Sequence, residues 1–187
     1  LERWLENVAK LQLQYPAHLL LVDNSPGIDY VEKVKGYCKK YGIKNYEIKH
    51  LEIDQEQEAS ERIGRCREII RQYILSHDYD AWFSWECDQI IPTNALDTLV
   101  ALIGAGDYMM VCLGSPGRKL PQEAVAAFGV TLIKKEPLKK YGFLIEHPNM
   151  PNTRHACENG FKKQILQGGG NYIEIYGIIN SIIHLNQ

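Results

Sequence analysis

The sequence predicts one α/β domain, built on a mainly parallel sheet that helices cover on both faces. Short apolar segments rich in β-branched and aromatic residues alternate along the chain with longer segments whose apolar residues recur every three or four positions. Parallel strands need crossover connections, and helices of this length supply them. With 187 residues, 45% of them hydrophobic, the chain can bury one sizeable core and is too short for two ordinary domains.

Helices are predicted where apolar residues share one face and where capping or stop residues close the segment. At the front of the chain Leu1, Trp4 and Leu5 lie at helical spacing, while Gly42 and Gly104 are typical of residues that end a helix. The predicted helices span residues 1–11, 29–41, 58–76, 93–103, 136–141 and 158–166.

Strands are predicted over short segments that are continuously apolar or that alternate between apolar and polar residues. Residues 114–121 and 147–153 are rich in Pro, Gly or Asn, which indicates loops. The predicted strands span residues 18–23, 46–51, 80–85, 107–113, 128–133, 172–176 and 178–185.

Charge and cysteine content exclude several classes of partner and site. The net charge of -2 and the pI of about 6.3 give no electrostatic reason to expect a nucleic-acid partner. The five cysteines include no C-x-x-C pair, which argues against a disulfide framework and against structural zinc. No apolar stretch approaches the roughly 20 residues of a membrane span. A cytoplasmic protein is therefore predicted, and a peripheral position at a membrane is also compatible with the sequence.

Carboxylates stand where two of the predicted strands end. Asp23 closes one apolar segment, and Glu86 and Asp88 follow another. Ligands of mainly parallel sheets collect at the carboxyl ends of the strands, so we expect these acids to face one crevice. On an extended segment, a Glu-x-Asp pair directs both carboxylates to the same side, where they repel each other unless a cation intervenes.

Hard oxygen ligands of this kind suit Mg²⁺ or Mn²⁺, which bind one or two carboxylates and take their other ligands from water and phosphates. The Glu86-x-Asp88 pair therefore predicts a divalent metal that carries a diphosphate. Taken alone, the same spacing is also typical of acids that cap a turn or face solvent.

Four segments resemble, in order, those of the family 2 GT-A glycosyltransferases, which use nucleotide-sugar donors. They cover most of the chain, so the resemblance implies one GT-A (Rossmann-like) domain over residues 1–187. The four segments are HLLLVDNSPGID (18–29), YDAWFSWECDQIIPTNAL (79–96), FGVTLIKKEPLKKYGF (128–143) and ENGFKKQILQGGGNYIEIYG (158–177) with IIHL (182–185).

The second segment resembles the metal-binding D-x-D region of the family. This resemblance implies that Asp88 is the direct ligand of Mn²⁺ or Mg²⁺ and that Glu86 lies nearer the ribose or a metal-bound water. His184 matches the distal histidine that can complete the metal shell. A packed histidine with a backbone partner is the structural alternative for His184.

The other segments imply contacts with the donor and the acceptor. Asp23 matches the acid near the nucleotide base, and Asn24 and Ser25 lie in the same loop. Arg65 stands where a basic helix residue can approach the donor, and Glu158 matches the general base that acts on the acceptor hydroxyl. The alternatives are a hydrogen-bonded turn for the loop and an acid favoured by the helix dipole for Glu158.

Arg62, Arg65 and Arg67 also have a structural interpretation as the solvated side of a helix that is rich in glutamate.

Two features depart from the family pattern. Asn159 stands where the family usually has a second acid, and the family's opening strand has no counterpart before Leu1, which implies a chain incomplete at its N-terminus.

The resemblance implies a metal-assisted glycosyltransferase of hexosyltransferase type that moves a sugar from a nucleoside-diphosphate sugar to a hydroxyl of a glycan, lipid or protein. Direct displacement would invert the anomeric centre. The alternative is a non-catalytic GT-A-like module that binds a nucleotide or a glycan. A sugar nucleotidyltransferase would need a glycine-rich, basic triphosphate loop near its first strand, and the sequence shows none.

Overall fold

The computed structural model describes residues 1–11, 13–114, 128–144, 156–176 and 182–185, over which helices and short strands alternate. The helices are α1 (Glu2–Ala9), α2 (Asp29–Lys40), α3 (Ala59–Ser76), α4 (Ala95–Gly104), α5 (Lys135–Lys140) and α6 (Ala156–Gln167). The strands are β1 (Leu19–Asp23), β2 (Tyr46–His50), β3 (Ala81–Trp85), β4 (Gln89–Ile90), β5 (Met110–Gly114), β6 (Val130–Lys134), β7 (Tyr172–Tyr176) and β8 (Ile183–His184).

Among the described strands, the largest sheet has the order β3-β6-β5-β7. Strand β6 is antiparallel to both β3 and β5, and β5 is parallel to β7, so β3, β5 and β7 all run in one direction. Strands β1 and β2 form a separate parallel pair. The predicted α/β architecture with mostly parallel strands is therefore confirmed, with β6 as the reversed strand.

Alternation along β5 shows how helices cover both faces of this sheet. Met110 and Cys112 pack in a cluster with apolar residues of α3, α5 and α6. Val111 and Leu113 point the other way and pack with residues of α4. Successive side chains of a strand leave opposite faces, so this entirely apolar segment is buried on both sides.

A third apolar cluster joins the N-terminal helices to the β1–β2 pair and contains Trp4 and Leu5. Trp4 packs against Trp85, the last residue of β3, with ring centroids 4.9 Å apart. The side-chain amide of Asn7 pairs with Ile91, donating to its carbonyl at 2.9 Å and accepting from its N–H at 2.8 Å. Helix α1 therefore contacts the chain at Trp85 and at Ile91, before and after residues 86–90.

Strand β4 lies in that segment and was not predicted from the sequence. It pairs antiparallel with β8, and Gln89 stands opposite His184. The predicted strand 178–185 is described only from residue 182 onward. Of the predicted loops 114–121 and 147–153, only Gly114 is described, and it is the last residue of β5 rather than part of a loop. No helix in the described part of the chain is both long and apolar enough to span a bilayer.

Candidate functional site

The chain turns sharply where β3 ends. The N–H of Glu86 still donates to the carbonyl of Gly129 at 2.8 Å, but the N–H of Gln89 returns to the carbonyl of Glu86 at 3.1 Å. Residues 86–89 therefore form a tight turn rather than an extended segment. The expectation that Glu86 and Asp88 lie on an extended segment is wrong, because a turn replaces the strand geometry.

The Glu86 side chain is 31% exposed and has two donors beside its carboxylate. Its Oε2 accepts a hydrogen bond from Gln89 Nε2 at 3.2 Å, and its Oε1 lies 3.5 Å from Arg67 Nη2. Gly129 makes this arrangement possible, since a Cβ at that position would lie 2.0 Å from Gln89 Nε2. The turn thus presents a Glu86 side chain that is partly exposed.

Asp88 has an unpaired oxygen at the same turn. Its Oδ1 is buried and has no hydrogen-bond partner among the described residues, while its backbone carbonyl accepts from the N–H of Leu185 at 2.8 Å. A buried carboxylate oxygen without a donor is costly, and a bound cation would remove that cost. The donor set of Asp88 and Glu86 therefore fits a hard divalent cation.

The third predicted metal ligand is described through its backbone only. Strand β8 brings His184 opposite Gln89, one residue from Asp88, but the side chain of His184 lies outside the described residues. Within the described ranges, no group of three or more His, Cys, Asp or Glu side chains is arranged around a common metal position. The ligand role of His184 stays a prediction.

Arg67 is buried beside this turn, which contradicts its interpretation as a solvated helix residue. Its Nη2 contacts Glu158 as well as Glu86, its Nη1 lies 3.1 Å from Cys157 Sγ, and its guanidinium carbon lies 5.3 Å from the centroid of the Phe128 ring. Burial opposes the charge, but Glu158, Cys157 and Glu86 together raise the pKa of Arg67 above its usual value. We call Arg67, Glu86 and Glu158 the Arg67 cluster.

Glu158 is the most deeply buried member of the Arg67 cluster. It lies in the first turn of α6 and its side chain is only 2% exposed, with Arg67 as its ionic partner. The neighbouring Asn159 has a buried Oδ1 without a hydrogen-bond partner in the part of the chain that the structure describes. A base at Glu158 would require the acceptor to reach this buried carboxylate.

A second ion pair, between buried Lys162 and part-buried Glu174, packs against the same aromatic ring. Lys162 Nζ lies 2.6 Å from Glu174 Oε1 and 5.6 Å from the centroid of Phe128. Both charges come from elements around the central sheet, Lys162 from α6 and Glu174 from β7. The Phe128 ring therefore contacts two buried cations.

At the end of β1, Asp23 accepts hydrogen bonds from two neighbours. The Ser25 hydroxyl lies 2.9 Å from each carboxylate oxygen, and the Ser25 N–H donates to Oδ1 at 3.3 Å. His50 Nδ1 lies 2.7 Å from Oδ2; because a carboxylate only accepts, Nδ1 carries the proton. The carbonyl of Asn24 accepts from Gln55 Nε2 at 2.7 Å. We call Asp23, Ser25 and His50 the Asp23 cluster, and it contains the hydrogen-bonded turn named above as the structural alternative.

The pKa of Tyr30 is raised, first by desolvation and then by the charges of Cys87 and Asp23. That Asp23 and the Glu86–Asp88 turn face one crevice stays a prediction. Arg65 pairs with Glu61 at 2.7 Å on an exposed side of α3, and its approach to the donor also stays a prediction.

Two residues of these clusters were missed by sequence reasoning. His50 stands at the end of β2 directly opposite Asp23, a pairing that the sequence alone does not specify. Arg67 did leave a signal, because it follows Ile63 by four positions and precedes Ile70 by three, so it shares their apolar helix face. A charged residue on an apolar face indicates a buried partner of opposite charge.

Comparison with solved structures finds similar folds, among them three glycosyltransferases. The mannosyltransferase PcManGT from Pyrobaculum calidifontis, in complex with GDP-Man and Mn²⁺, matches with a TM-score of 0.68 and 13% identity over 95% of this chain and 51% of that chain. TarS 1–349 of S. aureus, in complex with UDP-GlcNAc, matches with a TM-score of 0.58 and 15% identity over 97% and 55%. A glycosyltransferase involved in the glycosylation of the major capsid of PBCV-1 matches with a TM-score of 0.53 and 15% identity over 86% and 82%.

These neighbours are GT-A-type glycosyltransferases, and the chain accordingly has a GT-A-like fold. It spans about half the length of the first two of these structures. No protein-family model and no curated protein matches the sequence.

Proposed function

We propose that the chain is a glycosyltransferase domain that moves a hexosyl group from a nucleoside-diphosphate sugar to an acceptor hydroxyl with the help of a divalent metal. The observation that carries the proposal is the turn of residues 86–89 at the carboxyl end of β3, where Asp88 keeps a buried unpaired oxygen and Glu86 is part-exposed. Similar folds in complex with GDP-Man and Mn²⁺ or with UDP-GlcNAc support this assignment.

Asp88 would hold the metal, with Glu86 nearer the ribose or a metal-bound water and His184 completing the shell. A bound Mn²⁺ or Mg²⁺ would neutralise the negative charge that develops on the departing diphosphate. The Asp23 cluster and Asn24 would contact the nucleotide. The Ser25 N–H, the Ser25 hydroxyl and His50 use three of the four lone-pair sites of the Asp23 carboxylate, which leaves one for a ligand. A donor contact by Arg65 also remains a proposal.

The reaction that follows is a direct displacement. The acceptor oxygen forms a bond to the anomeric carbon while the bond from that carbon to the diphosphate oxygen breaks, and the nucleoside diphosphate leaves with the electron pair. The acceptor proton passes to a carboxylate, which we assign to Glu158. Attack from the face opposite the leaving group inverts the anomeric centre.

A non-catalytic GT-A-like module that binds a nucleotide or a glycan is the second candidate. The burial of Glu158 against Arg67 favours it, since a general base must reach the proton that it removes. The neutral side chain of Asn159 beside it favours it as well. In this candidate the donor binds, but no sugar is transferred.

Titration calorimetry with a panel of nucleoside diphosphates, with Mn²⁺ and with a chelator, tests the donor site. Wild type should bind one of them only with Mn²⁺, and Asp88→Asn should weaken this binding about tenfold or more. Asp107→Asn is the matched control, since this exposed acid lies before β5, at the end of that strand remote from the crevice. Binding that needs neither the metal nor Asp88 would refute the metal assignment.

Transfer assays separate the two candidates once a donor is known. Glu158→Gln should lower turnover about 100-fold or more, measured with the donor at saturation for each variant, if Glu158 is the base. Unchanged turnover would remove Glu158 from the mechanism, and a wild type that binds the donor without transferring sugar favours the module. The acceptor, as glycan, lipid or protein, and the cytoplasmic location stay predictions.

A further inference from the structure

We propose that Arg67 is a positioning residue that fixes the Glu86 carboxylate, and with it the turn of residues 86–89, in the orientation that receives the metal and the donor. This inference rests on the proposed function. It adds Arg67, which the sequence pattern alone had placed on the solvated side of α3. Arg67 would act through Glu86 and would not touch the reacting atoms.

The guanidinium joins two elements that are far apart in the sequence. One terminal nitrogen, Nη2, contacts Glu158 of α6 and lies 3.5 Å from Glu86 at the end of β3, while Nη1 lies 3.1 Å from Cys157 Sγ. The face of the group lies near the Phe128 ring. The guanidinium is a planar, rigid fork of N–H donors. Held in this way it has little freedom to move, so it can orient a carboxylate as well as neutralise one.

The two carboxylates of the Arg67 cluster differ in a way that indicates separate roles. Glu158 is closed off from solvent, whereas Glu86 keeps part of its surface open. Glu158 therefore acts as the buried counter-ion that holds the guanidinium, and Glu86 is the side of the cluster that a ligand can reach. Gln89 supports the same orientation of Glu86 from within the turn at 3.2 Å.

A purely structural role, in which Arg67 only compensates the charge of Glu158, is the interpretation to be excluded. Replacing Arg67 alone would remove an ion pair from a carboxylate that is only 2% exposed and would disturb the whole fold. The double variant Arg67→Met/Glu158→Met removes both charges together and so preserves the packing while it removes the fork. The control is Lys162→Met/Glu174→Met, which deletes the other ion pair beside Phe128.

The first measurement needs no ligand. Amide hydrogen exchange of Glu86 and Gln89 reports how often the turn opens, because their N–H groups donate to the carbonyls of Gly129 and Glu86. We expect exchange about tenfold faster or more in the Arg67→Met/Glu158→Met variant, with unchanged protection of Val111 in β5 and unchanged exchange of the turn in the control. Unaltered exchange of the turn in the folded double variant would overturn the positioning role.

The second measurement is the affinity for a nucleoside diphosphate with Mn²⁺. We expect the double variant to bind about tenfold more weakly or worse, the control pair within about threefold of wild type, and Arg67→Lys in between, since lysine keeps the charge but lacks the fork. Equal affinity in wild type and the double variant would overturn the proposal. If wild type itself binds no nucleoside diphosphate, the proposed function fails, and the exchange measurement still decides whether Arg67 positions the turn.

Discussion

The Arg67 cluster and the Asp23 cluster both lie at carboxyl ends of strands, yet they are assembled in different ways. The Arg67 cluster joins α3, the end of β3 and α6 through one buried cation. The Asp23 cluster uses a residue two positions away and the residue opposite on the neighbouring strand. The first is a long-range ionic contact and the second a local hydrogen-bonded turn.

The difference teaches where stability and adaptability lie in this site. A buried charge that loses an ionic partner has no water to replace it, so Arg67 and Glu158 depend on each other. Asp23 has two neighbours, and the loss of one leaves the other in place. We therefore expect the Arg67 cluster to be rigid and to hold the metal side of the site. The Asp23 cluster, at the end of β1, should tolerate substitution.

The largest effect is expected for Arg67→Met. It should lower the free energy of unfolding by about 3–5 kcal/mol, because it breaks an ion pair whose two members are both buried. Urea denaturation measures this loss, and Arg67→Met/Glu158→Met should recover most of it. Arg65→Ala is the control on the same helix, and its exposed pair with Glu61 should contribute no more than about 1 kcal/mol. Similar losses for Arg65→Ala and Arg67→Met would erase the distinction between buried and exposed arginines.

An intermediate effect is expected for Gly129→Ala. The added Cβ would meet Gln89 Nε2 at 2.0 Å, and since Gln89 is buried its amide has no open space into which to turn. Overpacking of this kind should lower the free energy of unfolding by about 1–3 kcal/mol and release Gln89 from Glu86. Gly36→Ala, at an open position of α2, should instead stabilise the protein by about 0.5–1 kcal/mol. Thermal unfolding of both variants checks the opposite signs, and a neutral Gly129→Ala would contradict the prediction.

The smallest effect is expected at the Asp23 cluster. His50→Phe keeps a ring but removes the donor to Asp23, and it should lower the free energy of unfolding by only about 1 kcal/mol because Ser25 still pairs with Asp23. His50→Gln keeps a donor and should cost less than His50→Phe in the same denaturation experiment. A loss as large as that for Arg67→Met would show that the two clusters are equally rigid.

The fold was largely predictable, since its elements follow local patterns. The predicted helix 58–76 and the strand 172–176 correspond to α3 and β7 almost residue for residue. Strand β4 was missed, because two residues carry no periodicity of their own and pair only through β8. The turn of residues 86–89 was taken for an extended segment for the same reason, as its closing hydrogen bond depends on where the chain must go next.

By itself, the sequence determined most of the helices and strands, their mainly parallel arrangement, and which acids stand where strands end. These properties follow from the spacing of apolar residues and from the direction of crossover connections, both of which are local. Only the tertiary structure decided that Arg67 and not Arg65 is buried, that Glu158 is its partner, and that His50 faces Asp23. The physical reason is that the state of a charge depends on the partner that packing brings to it, and these partners lie 91 and 27 positions away in the chain.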